Sequence, residues 1–263
     1  MKMHETTFYD DHPFNWTTNY DSVEVAATLA PLLASFAGGV PPDAWILDIG
    51  CGAGRVMASL VARNLRCLGL DLSRNSVRLM TENTGAAGVV ASNLRLPFAD
   101  GAVDRAVSDG VIHHISDSFG AFTECCRVLK TSGLLYLAVY KPNGHYQALY
   151  RFPGAVIRHL PKYRIGKALV QSTMLPFYFL VHFAKSRGKT TWSGATNLFY
   201  DYFVTPVVMF FSREDIESWS MKCGVEIVSY DANPRLNVHS FLLRKAETPN
   251  AGIHSFDTTT TDD

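Results

Sequence analysis

The stretch ILDIGCGAGR, residues Ile46 to Arg55, sets three glycines at alternate positions directly behind an apolar run. A strand that ends in glycines can turn sharply and present bare backbone N–H groups, so a flat or charged ligand can lie where a Cβ would collide. The spacing Asp48-x-Gly50-x-Gly52-x-Gly54 differs from the dinucleotide pattern G-x-G-x-x-G, and Asp48 stands inside the strand end itself. A pyrophosphate would be repelled there, whereas a cationic ammonium group would not. The next apolar run ends in GLDLS and places Asp71 seventeen residues after Gly54, where a carboxylate can accept both hydrogen bonds of a ribose diol. Each piece alone also fits a tight turn or a strand-end cap; together at this spacing they favour a cofactor site.

Outward from this loop, residues 45 to 140 alternate short apolar strands (WILDIG, RCLGLDL, GVVASN, DRAVSDGVI, GLLYLAVY) with helical stretches. SRNSVRLMTENTG and SFGAFTECCRVLKTSG are the clearest helices. The second has Phe119, Phe122, Cys126 and Leu129 at helical spacing and is expected to stop at Gly133. Strand, helix, strand in repetition implies a parallel sheet covered on both faces, with ligands at the carboxyl ends of the strands. Further on, SREDIESWSMKCG reads as an amphipathic helix capped by Ser212 and ended by Gly224, followed by the strands VEIVSYDA and NVHSFLLRKA as an antiparallel edge hairpin.

LDIGCGAGR, GLDLS, SNLRLPFADGAVDRAVSDGVIHH and RVLKTSG resemble the successive motifs of class I S-adenosylmethionine-dependent methyltransferases, in the branch that modifies small molecules and quinones. The resemblance covers residues 45 to 140. It implies a doubly wound, mostly parallel seven-stranded α/β sheet with an antiparallel C-terminal edge strand, and S-adenosylmethionine as cofactor. By the same resemblance Asp48 and the loop of Gly50, Gly52, Gly54 and Arg55 would hold the amino-acid end of the cofactor. Asp71 would hold its ribose and Leu72 would pack on its adenine. Asn93 stands where the family usually has Asp; its amide oxygen can still accept from the exocyclic amine of a neutral adenine. The Leu94 amide would meet the ring nitrogen, and Ser108 and Asp109 would face the methionine portion.

Methyl transfer is an in-line displacement that asks mainly for proximity, alignment and exclusion of water, with a base needed only for a hydroxyl or protonated amine acceptor. His114 and His113, just beyond the fourth strand, are the candidate bases, with Tyr200 as a third catalytic candidate. The competing reading packs one histidine under the sheet edge and bonds the other to a loop carbonyl.

The chain has 263 residues, 47% hydrophobic and 18% charged, enough to bury a sizeable core. Its 24 basic and 24 acidic residues balance, so global charge gives no reason to expect nucleic acid. Five irregularly spaced cysteines, with no metal-ligand grouping, fit a reducing cytoplasm and no metal. No run reaches the roughly 20 apolar residues of a membrane span.

Residues 1–44 are expected to cap the cofactor site, with a helix from about Ser22 to Ala37 opened by Asp21 or Ser22; residues 45–140 and 211–247 form the cofactor domain. Residues 248–263 read as a polar tail. Between them, 141–210 form a helical, aromatic insertion whose first sixty residues carry nine Lys and Arg and no Asp or Glu. Nucleic acid, an anionic lipid surface and a lid over the substrate all suit such a composition, and so does an insertion with its own aromatic core and a solvated basic face. The lid is favoured: the segment is very apolar, and the N/D-P-P-Y/F/W signature of amino-methylating nucleic-acid enzymes is absent.

Tyr9 or Trp16 would close the pocket, and Tyr140, Tyr200 and Tyr202 join Tyr9 as rings able to face a sulfonium cation, with Trp16, Tyr140, Tyr200 and Tyr202 touching the substrate. The expected activity is methylation of a small, partly apolar or anionic molecule, as in secondary-metabolite chemistry, with no nucleic-acid partner and peripheral membrane contact left open. Two alternatives are intramolecular displacement on the cofactor, giving azetidine-2-carboxylate and methylthioadenosine, and a catalytically silent binding partner.

Overall fold

The computed structural model describes residues 8–10, 31–142, 144–185, 187–188, 190–232 and 237–247. Trp16, the expected helix start at Asp21 or Ser22 and the tail at 248–263 lie outside these residues. Seven strands form one sheet in the order β3-β2-β1-β4-β5-β7-β6. They are β1 (Trp45–Ile49), β2 (Arg66–Asp71), β3 (Gly88–Val90), β4 (Val103–Asp109), β5 (Leu129–Tyr140), β6 (Val225–Asp231) and β7 (Val238–Lys245). The first five run parallel; β7 pairs antiparallel with both β5 and β6, which leaves β6 outermost.

The central strands carry buried apolar residues on successive positions, Ile46 and Leu47 in β1, Ala106 and Val107 in β4 and Leu135 to Val139 in β5, because both faces of the sheet are covered. Along β5 the side chains divide alternately: Leu135, Leu137 and Val139 join Phe122, Phe241 and Leu243 in one buried cluster, while Tyr136 and Ala138 join Met57, Leu60 and Met80 in the other. Helices α1 (Pro31–Phe36), α2 (Arg55–Ala62) and α3 (Arg74–Thr84) supply the second cluster; α4 (Ser118–Val128) supplies much of the first. Sequence reversal between β1 and β4 opens the switch point of the sheet, at the carboxyl ends of its strands.

The helix expected to reach Gly133 stops at Val128. Leu129 instead pairs with Val103 at the start of β5, and the register then jumps so that Leu134 pairs with Arg105. The intervening residues turn out of the ladder, with Ser132 at φ +62°. Tertiary pairing outcompeted a pattern that suited either element. Phe119, expected to be buried, is 37% exposed beside the ring of Trp219.

Residues 141–210 fold into α5 (His145–Arg151), α6 (Pro153–Ile157), α7 (Arg164–Leu169), α8 (Leu175–Lys185) and α9 (Trp192–Phe199). Their own small core gathers Ile157, Val170, Leu175, Phe199 and Phe203. Widened π-helical turns follow α7 at Val170–Met174 and α9 at Tyr200–Val204. The chain then returns through α10 (Arg213–Cys223), which opens with a reciprocal capping box between Ser212 and Asp215 and ends at left-handed Gly224. Among the described residues no helix is long and apolar enough to cross a membrane.

Candidate cofactor and acceptor site

The glycine loop leaves β1 in left-handed backbone, with φ +80° at Gly50, +52° at Gly52 and +96° at Gly54. A Cβ on Gly50 would sit 2.5 Å from the Val111 side chain, and one on Gly54 would sit 2.9 Å from Met80 Cγ. These two glycines are therefore required by the protein's own packing as well as by backbone conformation. Asp71 locks the loop: its Oδ2 accepts from the Gly52 N–H at 3.0 Å and its Oδ1 from the Ser73 N–H at 2.8 Å. Burial raises the Asp71 pKa from its ordinary value, and these backbone N–H groups oppose the rise. Each carboxylate oxygen keeps a second lone pair for a ribose hydroxyl. Asp10 joins the same corner, accepting from the Ser73 hydroxyl at 2.8 Å and from Asn75 through its main-chain carbonyl, also at 2.8 Å.

Asp48 is 2% exposed, and its Oδ2 has no hydrogen-bond partner among the described residues. Burial, then the negative charges of Asp109 and Asp71, push its pKa up to about 8, against a pull from Arg55. Asn93 Oδ1 and Ser108 Oγ are likewise buried without partners. A buried carboxyl, amide or hydroxyl oxygen left alone costs free energy, so three at neighbouring strand ends mark a surface built to be completed by another molecule. The donors and acceptors suit S-adenosylmethionine: an acceptor at Asp48 for its ammonium, acceptors at Asp71 for its ribose and Asn93 Oδ1 for its adenine amine.

Arg55 and Asp109 form an ion pair that ties the loop after β1 to the end of β4. Leu72 is half-buried directly behind Asp71. The Leu94 amide departs from expectation, since it donates to Ser92 Oγ at 3.2 Å; it reaches a ring nitrogen only if that hydroxyl turns away.

The histidines follow the competing reading. His113 is fully buried; its Nδ1 accepts from the Tyr140 N–H at 3.3 Å, its ring lies 3.8 Å from that of Tyr140, and burial holds its pKa well below the ordinary value. A neutral ring under the sheet edge is a packing element, which corrects its assignment as a base.

His114 is engaged at both nitrogens. Nδ1 lies 3.0 Å from the Val207 carbonyl, which only accepts, so Nδ1 carries a proton; Nε2 lies 3.4 Å from Asp201 Oδ1. His114 therefore offers no free lone pair to an acceptor in this arrangement. Burial raises the Asp201 pKa, opposed by His114 and by the Tyr140 hydroxyl, which donates to its Oδ2 at 2.6 Å.

Asp201 was missed by sequence reasoning, although it is the only acidic residue within 141–210. The π-helical turn at Tyr200–Val204 displaces the backbone and brings it to this position. Tyr146 donates to its main-chain carbonyl at 2.9 Å, and Tyr146 stacks 4.3 Å from Tyr202, whose hydroxyl accepts from Asn237 at 2.8 Å. Main-chain bonds from Met209 to His113 and from Phe211 to Tyr140 complete the join between insertion and sheet. Tyr140 and Tyr202 thus belong to one cluster, and the Tyr9 ring stands 6.3 Å from that of His114. The Tyr200 ring packs against the insertion's own core beside Phe199.

Residues 47–137 match the methyltransferase domain family. Among curated proteins, the chain is 31% identical over 120 residues to tRNA (carboxymethyluridine(34)-5-O)-methyltransferase alkbh8 of Xenopus tropicalis, covering 44% of this chain and 19% of that protein. It is 36% identical over 115 residues to the malonyl-[acyl-carrier protein] O-methyltransferase of Methylococcus capsulatus, covering 41% of this chain and 42% of that protein. The chain thus spans less than half the length of these relatives. Among solved structures, it resembles the 1,6-didemethyltoxoflavin-N1-methyltransferase of Burkholderia thailandensis, with a TM-score of 0.51 and 14% identity over 88% of this chain and 81% of that one. That crystal structure holds 1,6-didemethyltoxoflavin and S-adenosylhomocysteine.

Proposed function

Because residues 47–137 form a methyltransferase domain of the class I S-adenosylmethionine-dependent superfamily, we propose that the chain methylates a small, partly apolar or anionic molecule. The observation that carries this reading is the set of buried oxygens of Asp48, Asn93 and Ser108, without partners among the described residues, at or just beyond the carboxyl ends of β1, β3 and β4, together with the aromatic cluster of Tyr140, Tyr146 and Tyr202 that begins at the end of β5. When bound, S-adenosylmethionine supplies an electrophilic methyl group on a sulfonium. Asp71 and the glycine loop fix the bound nucleoside, and Arg55 keeps the loop against β4. The joined insertion excludes water from the acceptor side. Asp201 and His114 meet at 3.4 Å at the edge of that aromatic cluster. An acceptor hydroxyl could pass its proton to this pair only by replacing the 3.4 Å contact between them.

The match to a tRNA enzyme covers 44% of this chain, and an alignment of that extent fits the cofactor-binding region that methyltransferases of many substrates share. It favours no acceptor. All five cysteines are free thiols, which suits a cytoplasmic setting.

The test is mass spectrometry of the purified chain with S-adenosylmethionine, alone, with a small-metabolite extract and with total tRNA. S-adenosylhomocysteine formed only with the metabolite extract is the expected result. Turnover with tRNA alone would replace the acceptor class, and methylthioadenosine from the cofactor alone would replace methyl transfer by intramolecular displacement.

A further inference from the structure

The insertion divides its apolar residues unevenly between inside and outside. Tyr178, Phe199 and Phe203 face its core, but Phe152 is 74% exposed, Ile165 86% and Phe177 68%. The exposed residues repeat at one-face helical spacing. On α8, Phe177, Leu180, Val181 and Ala184 stand at i, i+3, i+4 and i+7, and all are exposed. Ile165 and Leu169 do the same on α7, and Phe152 and Val156 flank the turn into α6. Large aliphatic and aromatic side chains in this density do not stay in water without a partner surface.

The charge beside them has one sign. Arg151, Lys162, Arg164, Lys167, Lys185 and Arg187 are exposed, and the single carboxylate of residues 141–210, Asp201, is buried against His114 and Tyr140. An apolar face bordered by lysines and arginines, with no helix among the described residues able to cross a bilayer, is complementary to an anionic lipid surface. RNA is the poorer fit: although Phe152, Tyr163 and Phe177 are exposed, they are interleaved with the aliphatic side chains of Val156, Ile165, Leu169, Leu180 and Val181, which offer bases nothing to stack on. We infer that the outer face of α6–α8 seats the protein on anionic membranes, with Phe177, Leu180 and Ile165 entering the headgroup–acyl boundary and the surrounding basic residues meeting lipid phosphates. This inference stands independently of the acceptor's identity.

Co-sedimentation of the full chain with phosphatidylcholine vesicles, with and without about one-third phosphatidylglycerol, tests it. Binding to the anionic vesicles, at least tenfold weaker on neutral ones, is expected. Phe177→Ser/Leu180→Ser and Lys162→Glu/Lys167→Glu are each expected to lower it at least tenfold while leaving S-adenosylmethionine affinity unchanged, which shows the variants are folded. Three results would overturn the inference: no sedimentation of wild type that still binds the cofactor; undiminished binding by Phe177→Ser/Leu180→Ser; or a stable dimer in gel filtration that the same variant dissolves, which would make a second copy the occupant.

Discussion

The carboxyl edge of β1 to β4 and the insertion at 141–210 handle polarity in opposite ways. The first buries oxygens of Asp48, Asn93 and Ser108 with no partner among the described residues. The second surrounds its one acid, Asp201, with His114 and Tyr140 and sends Phe152, Ile165 and Phe177 into water. An unmet hydrogen bond and an unmet apolar surface are both free-energy costs, and each identifies the kind of molecule that removes it. The sheet edge awaits a polar, cationic small molecule. The outer face of the insertion has the exposed apolar and basic residues on which the proposed membrane contact rests.

That contrast breaks most readily at Asp71. Asp71→Ala removes both a ribose acceptor and the tie to Gly52, so cofactor affinity in calorimetry should fall at least about a hundredfold, or about 3 kcal/mol. Unchanged affinity would dissolve the polar half of the comparison.

Asp48→Asn should act with opposite signs on binding and stability. With a folded pKa near 8 against 3.8 unfolded, the native state holds the extra proton between these values, so wild-type stability falls as pH rises through that window and levels off above it. The substituted amide cannot ionise. The variant should therefore show a flatter stability profile and gain about 2 kcal/mol at pH 9 in denaturant titrations, while binding S-adenosylmethionine more weakly. Equal slopes in the two proteins would mean Asp48 is not held neutral.

Tyr140→Phe tests the join between the two regions, since it strips Asp201 Oδ2 of its donor. A loss of about 1–2 kcal/mol is expected, seen as a Tm lower by about 3–6 °C. No change would mean that the Tyr140 hydroxyl contributes nothing to holding the insertion on the sheet.

The smallest effect belongs to Asn93. Asn93→Ala should weaken the cofactor about tenfold, and Asn93→Asp should stay within a few-fold of wild type, because either side chain presents one acceptor oxygen. Equal affinity of all three proteins would separate Asn93 from the adenine.

The fold was largely legible in the sequence because its signals are local. Unbroken apolar runs mark strands buried on both faces, Ser212 and Gly224 mark the ends of α10, and the alternating glycines mark the turn after β1. The end of α4 was not, since Val128 and Leu129 are divided by a partner strand some 25 residues away rather than by any breaker. Which of the two readings of the histidines holds was not legible for a related reason. What disarms His114 is a main-chain carbonyl at Val207 and a carboxylate at Asp201, both on the far side of the insertion. A lone Asp in a strongly basic segment was the available clue. The second function of Gly50 and Gly54 was likewise hidden, because Val111 and Met80 meet them only in the folded chain.

Isothermal titration of the intact chain with S-adenosylmethionine at pH 7, in two buffers of different ionisation enthalpy, bears most directly on the sheet edge as a cofactor site. The expected result is one site per chain with close to one proton released, as a cation beside Asp48 drives its ionisation from a pKa of about 8. A cooperatively melting chain that gives no binding heat at saturating cofactor, and no shift in Tm, would contradict it.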